Sequence, residues 1–209
     1  LIGVQIIWQY LLNNFREKLI PIIRLIGNNF GSLNLSPTFW TIVGFGFAIL
    51  SSIFFGITNF LHGQVIQFPS QILASIMLLL SGFFDIVDGS VARIMKKTTT
   101  KGAFLDSNFD KISEALIFIG IAIGGLSNPI LAMIALSSSI LVSYVRARSE
   151  SLGIELKGVG IGERAERLLI LAICGLIPIP DSIQWGVIII ILISGFSFVQ
   201  RFRYVLKRI

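Results

Sequence analysis

Residues 85–110 read DIVDGSVARIMKKTTTKGAFLDSNFD. An apolar run, Ile72 to Phe84, leads into Asp85 and Asp88, and a second one follows Asp110. The basic link between them, from Arg93 to Lys101, is too short for anything but a turn between two helices. Carboxylates inside apolar helices are costly and mark functional sites. This stretch places four of them, Asp85, Asp88, Asp106 and Asp110, on two consecutive helices. It predicts a helical membrane protein with an acidic centre near one end of the bundle.

Composition agrees. Of 209 residues, 54% are apolar and 13% charged, and the mean hydropathy is +0.86. A soluble domain of this size needs more charge to cover its surface. A span takes about 20 residues, so the chain holds six with short loops. They are expected near 38–57, 71–95, 103–126, 128–148, 163–178 and 183–201. Ser36-Pro37 opens the first, since Pro suits a first helical turn. Residues 1–30 form a separate unit, read as an amphipathic helix in the interface because Trp8, Tyr10 and Phe15 lie beside basic residues. Residues 31–209 then form the all-α, six-span domain. Leu1 stands where an initiator Met would, which leaves the natural start open, and no cleavable signal pattern is expected. Cys174 alone makes no intrachain disulfide and reads as a small buried hydrophobe.

The charges support this layout. All 17 Lys and Arg residues fall near ends that share one side, and the opposite loops near 58–70, 125–129 and 178–182 carry none. The positive-inside rule makes the charged side cytoplasmic, with both termini and the acidic centre there. The net charge of +6 suits a face against anionic headgroups of the cell membrane. Nucleic acid is not an expected partner, because the basic residues are spread over four membrane-bounded segments.

On a helix, Asp85, Asp88 and Ala92 share a face, with Gly89 beside them, and Asp106 and Asp110 form an i, i+4 pair. The short link makes the two helices antiparallel neighbours whose acidic pairs can face each other. Four anionic groups this close need countercharge. Hard divalent cations such as Mg²⁺ or Mn²⁺ supply it through oxygen ligands. His62 is the lone histidine and lies in an opposite loop, so zinc does not fit. The competing reading has the carboxylates capping helices or pairing with Arg93, Lys96 and Lys101.

The same string resembles the signature of the CDP-alcohol phosphotransferase family. Asp85, Asp88, Gly89, Ala92, Arg93, Gly102, Asp106 and Asp110 match its fixed positions and spacings. The resemblance implies two divalent ions gripping the diphosphate of a CDP-linked donor through Asp85, Asp88, Asp106 and Asp110. Asp110 would double as general base for the acceptor hydroxyl, in a direct in-line attack at the β-phosphorus. Gly89 and Ala92 would let the nucleotide approach the helix, although Ala92 serves helix packing equally well. Arg93 and Thr99 are placed for diphosphate or nucleotide. Thr41, in the looser string Asn34 to Thr41, is either a further nucleotide contact or an ordinary capping residue. Such enzymes are commonly homodimers.

Two later strings bear on the acceptor: SYVRARSE over 143–150 and GVGIGERAER over 158–167. They put Arg146 and Arg148 at the end of the fourth span and Arg164 and Arg167 at the start of the fifth, while Arg201 closes the sixth. Guanidinium groups converging near the aspartates suit a phosphate dianion on the acceptor. Both strings resemble the inositol-phosphate branch of the family, with Ser149 in place of a commoner Ala. That implies transfer of a phosphatidyl or archaetidyl group to 1D-myo-inositol 3-phosphate, with the five arginines on the acceptor phosphate and CMP released. A positive-inside anchor is the plainer reading of each arginine taken singly. Glycerol 3-phosphate offers the same dianion, and CDP-inositol as donor would give a di-inositol phosphate. Membrane prenyltransferases need more spans than this chain holds. A cation-coupled transporter would carry polar residues deeper into the spans.

Overall fold

The computed structural model describes residue 21 and residues 25–61, 67–156 and 159–209. Most of the expected interfacial unit, and His62, lie outside the described residues. Among the described residues the architecture is wholly helical: α1 (Pro37–Ile57), a 3-10 turn (Thr58–Leu61), α2 (Gln67–Ile94), α3 (Thr100–Ile123), α4 (Pro129–Ser151), α5 (Arg164–Leu176) and α6 (Ser182–Leu206). Residues 25–31 are also helical.

Local chemistry fixes the helix starts. The Ser36 hydroxyl accepts from the Phe39 amide at 3.2 Å, Thr99 from Gly102 at 3.0 Å and Asn128 from Ile130 at 2.9 Å. Each satisfies an amide that has no partner inside its helix. Pro37 and Pro129 follow two of these caps.

Among the described residues, four helical stretches are long and apolar enough to cross a bilayer: Pro37–Phe60, Pro69–Ile94, Pro129–Ser151 and Ser182–Leu206. The chain is a membrane protein. The other two expected spans stand apart for physical reasons. α3 has the length but carries Lys101, Asp106, Asp110, Lys111 and Glu114 in its first 15 residues. α5 has 13 residues, about 20 Å at 1.5 Å per residue, against a hydrocarbon core of about 30 Å.

The helices close into a ring. α1 packs on α2, α2 on α5, α5 on α6, α6 on α4, α4 on α3, and α3 back on α1. The larger apolar core inside it draws on every helix, including Phe55, Leu78, Phe118, Ala135, Leu171 and Ile190, and a smaller cluster gathers at Trp40, Val87 and Val91. Lipid is as apolar as these side chains, so close backbone approach and hydrogen bonds must hold the ring. α1 shows both devices. Ser51 Oγ donates to the Ala74 carbonyl of α2 at 2.8 Å, and Ser52 Oγ donates to the Leu116 carbonyl of α3 at 2.5 Å. A Cβ at Gly120 would strike Ser52, and one at Gly124 would strike the Phe55 carbonyl. Gly44 lets α1 lie against Ser81 and Phe84 of α2 in the same way. Trp40 anchors the start of α1, edge-on to Phe30 at 5.0 Å and stacked on Phe84 at 5.8 Å.

The two acidic helices face each other through their carboxylates, as expected. Despite the short link, α2 and α3 are not among the closely packed pairs; α1 lies against both instead. The space left between the two acidic helices is where the site forms.

Candidate active site

The last third of α2 and the first half of α3 point their carboxylates into that space. Ligand oxygens of Asp85, Asp88 and Asp106 all lie within 4.8 Å of one another. Asp85, Asp88 and Asp110 line a cleft of about 240 Å³, counting its open mouth. α1 supplies Thr41, Gly44 and Phe45 to its wall, and Phe45 stacks on Phe109 at 4.7 Å.

Two oxygens of this cluster are buried without a hydrogen-bond donor, Asp88 Oδ2 and Asp106 Oδ1. A buried, undonated carboxylate oxygen is unfavourable unless a cation meets it. Carboxylate oxygens are the ligands that hard divalent ions take, and a site of a few carboxylates that leaves room for substrate phosphates is typical of Mg²⁺. The residues present therefore fit a divalent ion held by Asp85, Asp88 and Asp106.

Asp110 sits at the other side of the cleft and is met by Arg164, the first residue of α5. Its Nη1 lies 2.6 Å from Asp110 Oδ1 and 3.1 Å from Asp85 Oδ1. This residue was expected on an acceptor phosphate; the structure places it on the aspartates. Its position follows from the turn that precedes it. Gly160 and Gly162 adopt φ of +94° and +74°, values that L side chains rarely take. A Cβ at Gly160 would meet Ser197 and Arg201, and one at Gly162 would strike Ile193. Glu166 Oε2 then accepts from the amides of Gly162 and Glu163 at 2.8 and 3.1 Å, which fixes the start of α5.

Arg167 departs from its expected role. It is 1% exposed, donates to Glu114 Oε1 through Nε and Nη2 at 3.0 and 2.8 Å, and donates to the Gly162 carbonyl through Nη1 at 2.7 Å. Each of its three nitrogens is engaged inside the fold, so it ties α3 to α5. Glu114 was not singled out as a functional residue. As a fully buried carboxylate one turn beyond Asp110 in an apolar helix, it carried the same signal as the aspartates.

Arg201 is buried too. Its Nε donates to the Val159 carbonyl at 2.9 Å and its Nη1 to the Val142 carbonyl at 3.2 Å, joining α6 to α4 and to the glycine turn. Arg146 and Arg148 are exposed; Arg146 pairs with Glu150 at 3.0 Å and Arg148 reaches Ser151 at 3.4 Å. On the donor side, a Cβ at Gly89 would meet only the Arg93 guanidinium, at 3.8 Å. The surface beside Gly89 is therefore open, with half-buried Ala92 and exposed Arg93 next to it. Thr99 is the cap of α3. Thr41 hydrogen-bonds its own helix, to the Pro37 carbonyl at 3.2 Å, and lines the cleft.

Comparison with known proteins gives a consistent set of likenesses. The sequence profile described as CDP-alcohol phosphatidyltransferase matches residues 35–199. Archaetidylinositol phosphate synthase of Pyrococcus horikoshii is 35% identical over 199 residues, covering 95% of this chain and 98% of that protein. Among solved structures, phosphatidylinositol phosphate synthase of Mycobacterium tuberculosis with CDP-DAG bound superposes with a TM-score of 0.73 at 25% identity, covering 88% of this chain and 94% of that one. The same enzyme in complex with manganese and citrate gives a TM-score of 0.72 at 25% identity and covers 88% of each chain.

Proposed function

The chain belongs to the CDP-alcohol phosphatidyltransferase family, and on that premise we propose that it transfers a phosphatidyl or archaetidyl group from a CDP-activated lipid to 1D-myo-inositol 3-phosphate. The observation that supports this reading is the clustering of Asp106 with Asp85 and Asp88, which share a cleft with Asp110, with Asp88 Oδ2 and Asp106 Oδ1 left bare.

Asp85, Asp88, Asp106 and Asp110 are the assigned ligands of two Mg²⁺ ions, with Mn²⁺ an effective substitute. Bound there, the ions would polarise the phosphoryl oxygens of the donor and stabilise charge on the leaving CMP. Asp110 takes the proton from the acceptor hydroxyl. That oxygen bonds to the β-phosphorus as the bond to CMP breaks, and CMP carries away the electron pair. The open surface at Gly89 and Ala92 admits the nucleotide, and Arg93 faces its diphosphate. Thr41 and Thr99 flank the same approach. Arg146, Arg148 and Arg164 are assigned to the acceptor phosphate, whereas Arg201 is buried and gives Nε and Nη1 to the Val159 and Val142 carbonyls. Arg167 is left out of that set, because its donors serve Glu114 and the Gly162 carbonyl.

α3 and α5 complete a six-span bundle in this reading, since both contribute to the larger apolar core that the ring encloses. The distribution of Lys and Arg puts the cleft and both termini at the cytoplasmic face of the cell membrane. A homodimer is the proposed assembly, with its interface away from Gly120 and Gly124, which seat α1 within the chain.

The test is an acceptor panel of inositol phosphate, glycerol 3-phosphate, serine and free inositol, each with radiolabelled CDP-archaeol or CDP-diacylglycerol and Mg²⁺. CMP and a labelled lipid should form with inositol phosphate. Faster turnover of glycerol 3-phosphate would move the acceptor assignment, and no CMP with any pair would refute the reading.

A further inference from the structure

Nη1 of Arg164 touches one oxygen from α2 and one from α3 at once, Asp85 Oδ1 at 3.1 Å and Asp110 Oδ1 at 2.6 Å. The two oxygens converge on a single positive atom from opposite walls of the cleft. A cation shared by Asp85 and Asp110 would have to sit where that nitrogen now sits. The other cation position, among Asp85, Asp88 and Asp106, has no such occupant, and two of its oxygens are bare. The acidic centre is thus divided into an open half and a half already neutralised from within the chain.

We propose that Arg164 is a displaceable internal counterion, held at the Asp85–Asp110 position until a second divalent ion replaces it, and then released toward the acceptor phosphate. The proposal rests on the metal-dependent reading above. Its mechanics follow from the way α5 is mounted. Arg167–Glu114 and the Glu166 bonds fix the helix start, so the Arg164 Cα stays in place while the side chain moves. The side chain is built to let go: it is 14% exposed, and its Nε is buried with no partner. Two cations cannot share one pair of carboxylates at full strength, so the guanidinium weakens the second ion more than the first, which it meets only through Asp85 and, at longer range, Asp106. By linkage, a phosphate that draws Arg164 away must tighten the second ion, and the second ion must tighten the phosphate by the same factor.

Mn²⁺ binding to the full chain in nanodiscs, read from the free-ion EPR signal, tests this without any turnover. Wild type should show one tighter and one weaker site, and 1D-myo-inositol 3-phosphate should tighten the weaker one. Arg164→Gln should tighten the weaker site at least tenfold and shift the tighter one less than threefold. Arg164→Lys, which keeps the charge, should stay within about threefold of wild type at both. Equal effects of Gln and Lys, or a weaker site unchanged in Arg164→Gln, would overturn the counterion role while leaving metal binding intact. Absence of any Mn²⁺ binding by wild type would instead remove the metal reading itself. A structure of the wild type saturated with Mn²⁺ decides the matter even if Arg164→Gln fails to fold. Arg164 should have left Asp110, with manganese scattering between Asp85 and Asp110; Arg164 still bonded to both at saturation would overturn the proposal.

Discussion

Glu114→Ala should be among the most destabilising single changes in the protein. The Glu114 side chain is fully buried and the Arg167 side chain is 2% exposed. Glu114 Oε1 receives two of the three hydrogen bonds that Arg167 makes. Removing the carboxylate strands a guanidinium that has only the Gly162 carbonyl left, and Lys111, 3.9 Å from Glu114 Oε2, loses its partner as well. Breaking a buried pair from one side costs about 3–5 kcal/mol, most of it the penalty for the charge left behind. Replacing both partners with apolar residues of similar volume is often neutral. Glu114→Leu combined with Arg167→Met should therefore recover at least half of that loss. The measurement is reversible unfolding in mixed micelles, taken as a double-mutant cycle. A loss below about 1 kcal/mol for Glu114→Ala, or a double variant no more stable than the single one, would refute the argument. The pair, though buried, would then contribute no more than an exposed ion pair does.

Asp110→Asn should retain CDP-lipid binding by equilibrium dialysis yet lose turnover by two orders of magnitude or more, in line with the usual contribution of a general base; near-wild-type turnover would remove Asp110 from that role. In a stability assay, Gly124→Ala should cost about 1–3 kcal/mol, because the new methyl group meets the Phe55 carbonyl of α1 and overpacking costs that much. Ser52→Ala should cost only about 0.6 kcal/mol, the usual worth of a hydrogen bond between membrane helices; the reverse order would mean that hydrogen bonding, not close approach, holds α1. Arg146→Gln with Arg148→Gln should raise KM for the acceptor phosphate several-fold at unchanged KM for the CDP-lipid, measured by initial rates; a change confined to the donor would reassign both residues.

The acidic centre was legible because apolar helices tolerate carboxylates so poorly that four at helical spacing stand out. Their grouping into one cluster required only that the two helices be consecutive. The intervening geometry was not legible. The short link makes α2 and α3 neighbours, but α1 is the helix that packs against both, with Gly44, Gly120 and Gly124 at its contacts with them. No periodicity in α2 or α3 announces that third partner. The arginines divided for a similar reason. Five guanidinium groups near one membrane end read alike in sequence, yet burial commits Arg167 and Arg201 to the fold and leaves Arg146 and Arg148 at the surface. Which fate each meets depends on a carboxylate or carbonyl brought in from another helix, as with Glu114 for Arg167 and Val142 for Arg201. Four spans agree with the apolar runs. α3 and α5 stand apart because one carries the chemistry and the other has only 13 residues between the glycine turn and Ile177.

The glycine seats on α1 have a bearing on ion choice. Mg²⁺ holds its oxygens at about 2.0–2.1 Å and Ca²⁺ at about 2.3–2.6 Å, a difference of a few tenths of an ångström. A Cβ at Gly44 would come within 3.2 Å of Phe84 Cβ, enough to force a shift of that same size in the helix that bears Asp85 and Asp88. Gly44, a residue with no side chain, thus bears on the calibre of the acidic gap from a helix that carries none of the carboxylates. Discrimination by ionic radius can drift through α1 while every aspartate stays the same.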